Sequence, residues 1–276
     1  MPVQLKIKPG DRPAIMAVLN LTPDSFYRQS RNQGLDMALK ATERFVEEGA
    51  DIIDIGAESS RPGAIPISVE EEAGRLNSVV KEIKKQFTVQ VSVDTYKPEV
   101  AEMVLDNGAD IINDITGLSR YPEMANIIAK HNAGLILMHM KGTPLKMQDS
   151  PVYEDLFSEI KNFLSNGIQT AEQAGVGEDA IAVDPGIGFG KNLEHNLRLV
   201  ANLKKFKELG KAVILGASRK SFIGKVLGLP VEQRLEGSLV AAIFGMLQGA
   251  DVIRVHDVAP TWRALEMGQA FLEKEE

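Results

Sequence analysis

The stretch GADIIDIG, residues 49–56, indicates how this chain folds. Gly-Ala-Asp closes one segment and leads into a short run rich in isoleucine, and the same three residues precede similar runs at 108–110 and 249–251. A glycine between a helix and the strand that follows it is typical of α/β proteins. A short run of β-branched residues without regular polar alternation is typical of a parallel strand that is covered on both faces.

Eight such runs follow one another along the chain. They are 14–20, 51–56, 89–94, 110–115, 134–139, 180–184, 212–218 and 251–256. Seven helical segments are predicted between them and one after the last, including 35–48, 69–86, 100–107, 156–174, 235–248 and a helix from Ala259. A strand–helix pair recurs about every 33 residues, which predicts an α/β fold of the (β/α)₈ TIM-barrel class in a single domain over residues 1–276. An open doubly wound sheet is the alternative.

The composition excludes several classes of function. The 276 residues have a formal net charge of −7, whereas general nucleic-acid binding needs a basic face. Cysteine is absent, so thiolate metal sites and thiol nucleophiles are excluded. With only four histidines, we do not expect a poly-histidine metal site. The N-terminal residues lack the apolar core of a signal peptide, and no apolar run is long enough to span a membrane. We therefore expect a cytoplasmic protein.

Polar residues end nearly every one of the eight runs. In chain order they are Asn20, Glu58 to Arg61, Asp94, Asn113 with Asp114, His139 after Met138, Asp184, Ser218 to Ser221, and Arg254 with His256. Active sites of barrel enzymes lie at the C-terminal ends of the strands, so these side chains are predicted to form a ring around a ligand.

The residue types in this ring indicate the ligand. Asp94, Asn113 and Asp184 suit a flat heterocycle that presents adjacent N–H groups and acceptors, because carboxylates pair with such an edge in a directional way. An anion can be surrounded by four groups: Asn20, Arg61, Arg254 and His256. The amide oxygen of Asn20 also suits Mg²⁺. Phe189, within the glycine-rich DPGIGFGK (184–191), either contacts a planar ligand or packs inside the protein.

Seven segments together resemble the dihydropteroate synthases, the pterin-binding enzymes that sulfonamides target. They are LNLTPDSF (19–26), ESSRPGA (58–64), VSVDT (91–95), INDI (112–115), DPGIGFGK (184–191), GASRKSFIG (216–224) and RVHDV (254–258). The resemblance implies a (β/α)₈ barrel and a transferase that joins p-aminobenzoate to 6-hydroxymethyl-7,8-dihydropterin diphosphate, with Mg²⁺ as cofactor. It further implies release of pyrophosphate, 7,8-dihydropteroate as product, a place in folate biosynthesis and a homodimer.

The resemblance also implies a role for individual residues. The pterin contacts map to Asp94, Asn113, Asp184 and Lys220, the diphosphate contacts to Ser60, Arg61, Arg254 and His256, the metal ligand to Asn20, and the p-aminobenzoate site to Ser221. We also expect Met138 and Phe189 to contact the pterin and Phe26 to contact p-aminobenzoate. Of these, Asn20, Arg61, Lys220, Arg254 and His256 are expected to act in the chemical step. We expect an SN1-like substitution with ordered binding, the diphosphate first.

The loop after the first run departs from the family pattern. Many relatives continue TPDSF with Ser-Asp-Gly-Gly, where this chain has Tyr27, Arg28, Gln29 and Ser30, so any role of that second acid is in doubt. We expect this loop (20–34) and the loop at 57–67 to be mobile. Three alternatives stay open: a methyltetrahydrofolate:corrinoid methyltransferase, a pterin-binding barrel without turnover, and an aldolase that uses Lys220 as a Schiff base.

Overall fold

The computed structural model describes residues 12–21, 31–59, 63–143, 147 and 151–274. Eight parallel strands in this part of the chain close into a barrel in which each strand pairs with its neighbours in chain order, and β1 pairs with β8. The strands are β1 (Ala14–Asn20), β2 (Ile52–Gly56), β3 (Gln90–Asp94), β4 (Ile111–Asp114), β5 (Gly134–Met138), β6 (Ile181–Asp184), β7 (Ala212–Leu215) and β8 (Val252–Val255). The predicted (β/α)₈ barrel is confirmed.

Helices connect the strands on the outside of the barrel. Those within the described residues are α1 (Arg31–Glu47), α2 (Val69–Gln86), α3 (Pro98–Asp106), α4 (Met124–His131), α5 (Leu156–Gln173), α6 (Leu193–Ala201), α7 (Ser221–Leu227), α8 (Leu235–Leu247) and α9 (Val258–Leu272). Short 3₁₀ turns lie at Glu178–Ala180, Leu203–Leu209 and Val231–Gln233. None of these helices has both the length and the apolar character that crossing a membrane requires.

Two sequence-based boundaries were wrong. Both α7 and α8 lie between β7 and β8, where a single helical segment was predicted. The break occurs because Gly228 ends α7 at a φ of 69° and Pro230 follows two residues later, and proline cannot continue a helix. The loop after β1, predicted to reach residue 34, ends earlier because α1 begins at Arg31.

Successive residues of each strand face opposite sides of the barrel wall. The inward side chains at the N-terminal end form a small apolar cluster that fills the barrel interior: Ala14, Met16, Ile52, Ile111, Ile136, Ala182, Ile214 and Val252. Their outward neighbours, such as Ile15, Ile53 and Val91, belong to the large core between strands and helices. The period of two therefore determines that Asp54, Asp94 and Asn113, on the inward side nearer the strand ends, lie above the apolar cluster.

Candidate active site

Four inward positions meet at one level where strands β1 to β4 end. The register pairs Asn20 with Gly56, Gly56 with Asp94, and Asp94 with Asn113. A Cβ atom placed on Gly56 would lie 3.7 Å from Asn20 Oδ1 and 3.9 Å from Asp94 Oδ2. Glycine at this position thus leaves open the space that these two oxygen atoms share.

Asp54 lies directly below this level and organises it, although the sequence analysis did not single it out. Its side chain is fully buried and accepts hydrogen bonds from Ser92 Oγ (2.6 Å), Asn113 Nδ2 (3.3 Å) and Arg254 Nε (2.7 Å). The sequence contains a signal for it: an acidic residue two positions before Gly56, inside an otherwise apolar strand. A buried carboxylate is retained only with partners, so it predicts a polar site.

Arg254, on β8, connects the two acids from the interior of the barrel. Its Nη2 lies 2.6 Å from Asp54 Oδ2 and 3.4 Å from Asp94 Oδ2. Burial disfavours the guanidinium charge, but the two carboxylates outweigh it and raise the pKa of Arg254. The guanidinium is therefore a fixed positive charge between Asp54 and Asp94.

Asp94 is the acid whose charge depends on its surroundings. Burial and the negative charge of Asp54 raise the pKa of Asp94 to about 8, and Arg254 opposes them. One guanidinium cannot neutralise two neighbouring carboxylates, so the ionisation of both carboxylates at once is disfavoured. A ligand that donates N–H groups to Asp94, or a cation near it, would favour its ionised form.

Asp184 and Lys220 form a second charged pair where β6 and β7 end. Asp184 Oδ1 accepts a hydrogen bond from the backbone N–H of Gly186 (2.7 Å). A Cβ atom on Gly216 would lie 3.7 Å from both Asp184 Oδ2 and Lys220 Nζ, so this glycine leaves space between the two charges. Burial lowers the pKa of Lys220 to about 8, partly offset by Asp184, while burial raises the pKa of Asp184.

The glycine-rich segment beside Asp184 is held by side chains from several elements. Lys220 Nζ donates to the carbonyl of Ile187 (2.5 Å) and lies 4.7 Å from the centre of the Phe189 ring. Lys191, another residue that the sequence analysis missed, is almost completely buried and donates to the carbonyl of Phe189 (3.0 Å). These contacts hold the glycine-rich segment in place on one side of the site, with Lys220 over the face of the Phe189 ring.

Apolar side chains complete one side of this region. Tyr96, Ile115 and Met138 form a small buried cluster, and Phe189 packs against it with its side chain only partly buried. Met138 pairs in register with Asp184. Phe189 thus packs against the cluster and also keeps an accessible part, so both predicted roles of this residue agree with its position.

The residues after β7 and β8 lie at the rim. His256 is exposed at the rim, and its backbone N–H and its Nδ1 lie 3.2 Å and 3.1 Å from Ser218 Oγ. Loss of water around the ring and the positive charge of Arg254 lower the pKa of His256 to about 4, so the imidazole is neutral at pH 7. Ser221 is the first residue of α7 and is exposed.

Two members of the predicted polar ring face away from it. Asp114 accepts hydrogen bonds from the backbone N–H groups of Thr116 and Leu118 (both 2.7 Å) and so fixes the turn after β4. The His139 ring packs edge-on against Phe163 and lies 2.9 Å from Lys191 Nζ. The prediction was wrong for both because each follows an inward residue, and the next side chain of a strand points outward. Phe26, Ser60 and Arg61 lie outside the described residues.

A model of the family described as "Pterin binding enzyme" matches residues 16–256, from β1 to just beyond β8. The chain belongs to this family. A dihydropteroate synthase of Clostridium beijerinckii is 44% identical over 266 residues, which are 96% of each chain. Curated relatives with this name show that, among pterin-binding enzymes, the chain belongs to the dihydropteroate synthases, which are transferases.

Solved structures of the family have the same fold over the same length. A Yersinia pestis dihydropteroate synthase in complex with a sulfonamide drug superposes with a TM-score of 0.91 at 40% identity, covering 98% of this chain and all of that one. A Xanthomonas albilineans dihydropteroate synthase with 4-aminobenzoic acid gives a TM-score of 0.88 at 41% identity, covering 95% and 94%.

Proposed function

We propose that this pterin-binding enzyme forms 7,8-dihydropteroate from 6-hydroxymethyl-7,8-dihydropterin diphosphate and p-aminobenzoate, with release of pyrophosphate. The observation that supports it most is the set of inward polar groups Asp94, Asn113 and Asp184, next to the apolar side chains Met138 and Phe189. Carboxylate and amide oxygens accept from the N–H groups along the edge of a pterin, while the apolar side chains contact its faces. The family matches and the 4-aminobenzoic acid in a relative support the same two substrates.

The bond that breaks joins the exocyclic methylene carbon of the pterin to an oxygen of the diphosphate, which leaves with the electron pair. We propose that Ser60, Arg61, Arg254 and His256 contact this leaving group. Of the described members, Arg254 supplies a fixed charge, whereas His256 is neutral and supplies a hydrogen bond. Positive charge aimed at a departing anion lowers the barrier to its departure.

The bond that forms joins the same carbon to the amine nitrogen of p-aminobenzoate, which then loses a proton. A neutral arylamine is nucleophilic at pH 7, so no strong general base is needed. Asp94 and Asp184 place negative charge along the ring edge and stabilise positive charge on the pterin, which supports an SN1-like order of events. We propose that Ser221 and Phe26 contact p-aminobenzoate, and that Lys220, which lies over the Phe189 ring, contacts the pterin.

The residues around Asn20 fit Mg²⁺. Asn20 Oδ1 and Asp94 Oδ2 both border the space above Gly56, and hard oxygen donors are the ligands that Mg²⁺ prefers. Mg²⁺ commonly takes only one or two protein ligands and completes its coordination with water and phosphate oxygens. We propose Asn20 as the protein ligand, with Asp94 next to it; bound there, the ion would neutralise charge on the diphosphate.

The predicted homodimer also stays a proposal, and the structure offers a surface for it. The face of α8 towards the barrel includes Ala241 and Gly245, whereas Val240, Phe244 and Leu247 on its other face are 50–58% exposed. These apolar positions do not face the barrel, so a second copy can cover them. Light scattering of wild type and Phe244→Asp tests this proposal, with a dimer expected for the first and a monomer for the second. The cytoplasmic location stays a prediction.

A pyrophosphate-release assay tests the function. Purified chain, Mg²⁺, the pterin diphosphate and p-aminobenzoate are expected to release pyrophosphate and dihydropteroate in equal amounts. Asp184→Asn is expected to reduce the rate, and Asp251→Asn, which alters an ion pair with Lys207 at the other end of the barrel, is expected to leave it unchanged. Binding of the pterin diphosphate without product would instead indicate a barrel that lacks turnover.

A further inference from the structure

Lys97 lies beside the site, and no step of the proposed reaction uses it. It is the residue before α3 and only 7% exposed. Its ammonium has three acceptors: Glu58 Oε2 (2.7 Å), Glu72 Oε2 (2.5 Å) and the backbone carbonyl of Ile67 (2.8 Å). Three acceptors match the three N–H donors of an ammonium group.

Two of these acceptors belong to residues at the two ends of one loop. Glu58 follows β2 by two residues and Ile67 precedes α2 by two, and Glu58 Oε2 also accepts the backbone N–H of Ile67 (2.9 Å). The third acceptor, Glu72, belongs to the first turn of α2. Arg75 of the same helix donates to the carbonyl of Ala57 (2.8 Å). The base of the 58–67 loop is thus closed by side chains.

The same short segment also reaches the pterin side of the site. Asp94, Thr95, Tyr96 and Lys97 are consecutive: Asp94 lies at the inward level described above, and Tyr96 belongs to the apolar cluster with Met138. Lys97 bonds to Glu58 and Glu72, and its ammonium lies 5.3 Å from the centre of the Tyr96 ring. Movement at the base of the loop is therefore tied to the strand that presents Asp94.

We propose that Lys97 is a positioning residue for the diphosphate: its ammonium fixes both ends of the loop that contains Ser60 and Arg61 relative to Asp94. This inference rests on the proposed function, which assigns that loop to the leaving group. Stability alone does not explain the arrangement, because a buried ion pair is often no more stabilising than apolar side chains of the same size. What the three convergent hydrogen bonds add is a fixed orientation of the loop ends relative to Lys97.

The test compares three ligands on one protein by calorimetry: the pterin diphosphate, inorganic pyrophosphate, and 6-hydroxymethyl-7,8-dihydropterin, which lacks the diphosphate. Lys97→Met is expected to weaken binding of the first two by about tenfold or more and of the third by less than about twofold, because only the diphosphate depends on the loop. Lys84→Met is the matched control, since Lys84 forms an ion pair of 2.6 Å with Asp110 near the N-terminal end of the barrel. It should leave all three affinities unchanged.

A second variant separates positioning from stability. Lys97→Met leaves Glu72 buried without its charged partner, so Lys97→Met/Glu72→Gln is expected to regain melting temperature but not affinity for the diphosphate ligands. If Lys97→Met does not fold, Glu58→Gln replaces it and should show the same selective loss. Equal loss for all three ligands, or affinity that returns together with the melting temperature, would overturn the role of Lys97. A wild-type chain that binds no pterin diphosphate would overturn the proposed function itself, and this inference with it.

Discussion

Replacement of Asp54 by asparagine tests whether this buried acid organises the site. Asp54 receives two close contacts from Arg254, Nε at 2.7 Å and Nη2 at 2.6 Å, and is fully buried. Removing one partner of a buried ion pair costs about 3–5 kcal/mol. The amide keeps one acceptor oxygen, and Arg254 has Asp94 at 3.4 Å as another partner, so we expect the lower value of about 3 kcal/mol.

A loss of this size is measurable by thermal unfolding. For a chain of this length, 1 kcal/mol corresponds to about 2 °C, so Asp54→Asn should lower Tm by about 6 °C at pH 7. Arg254 should then turn towards Asp94 and occupy the oxygen that a pterin would use, and pterin affinity measured by calorimetry should fall by about tenfold.

Asp251→Asn is the control, because Asp251 also forms a 2.6 Å ion pair but lies near the N-terminal ends of the strands and is only partly buried. It should lower Tm by no more than about 2 °C and leave pterin affinity unchanged. If Asp54→Asn keeps both the wild-type Tm and the wild-type affinity, the site does not depend on Asp54 and the reasoning is wrong.

Three further substitutions follow from the charges at the strand ends. The pKa of Asp94 is raised to about 8, so the stability of the wild type falls as the pH rises from about 4 to about 8. Asp94→Asn should therefore have a higher Tm than the wild type at about pH 8.5. This difference in Tm should be smaller at about pH 5, and an equal difference at both pH values would contradict the raised pKa. The pKa of Lys220 is lowered to about 8, so its charge destabilises the folded protein below that pH. Lys220→Met should therefore raise Tm at about pH 7. The same rise in Tm at about pH 10.5, where the wild-type lysine is neutral, would contradict a cost from the buried charge. Asp184→Asn should weaken pterin binding by about 10- to 100-fold, since a hydrogen bond to a charged group is worth about 1.5–3 kcal/mol, and unchanged affinity in calorimetry would remove Asp184 from the site.

Much of the site could be predicted because barrel geometry places the end of every strand at the same rim. Asp94 and Asp184 end their apolar runs, and Asn113 lies near the end of its run, next to the polar Asp114. The strand order of the barrel is then enough to bring the three together. Asp54 was missed because it lies inside its run, two residues before the end. Asp114 and His139 were included wrongly because the ends of the runs were read without the alternation of strand faces.

The sequence by itself determined the eight strands, their order and the residues that follow them, because hydrophobic runs and glycine turns act over short stretches of chain. Only the tertiary structure decided which of those residues meet. Arg254 reaches Asp54 across 200 positions of sequence because β1 pairs with β8, and Lys97 reaches Glu58 and Ile67 because β2 and β3 are neighbours in the barrel. Barrel closure and strand register set these distances, and neither is encoded in any single local segment.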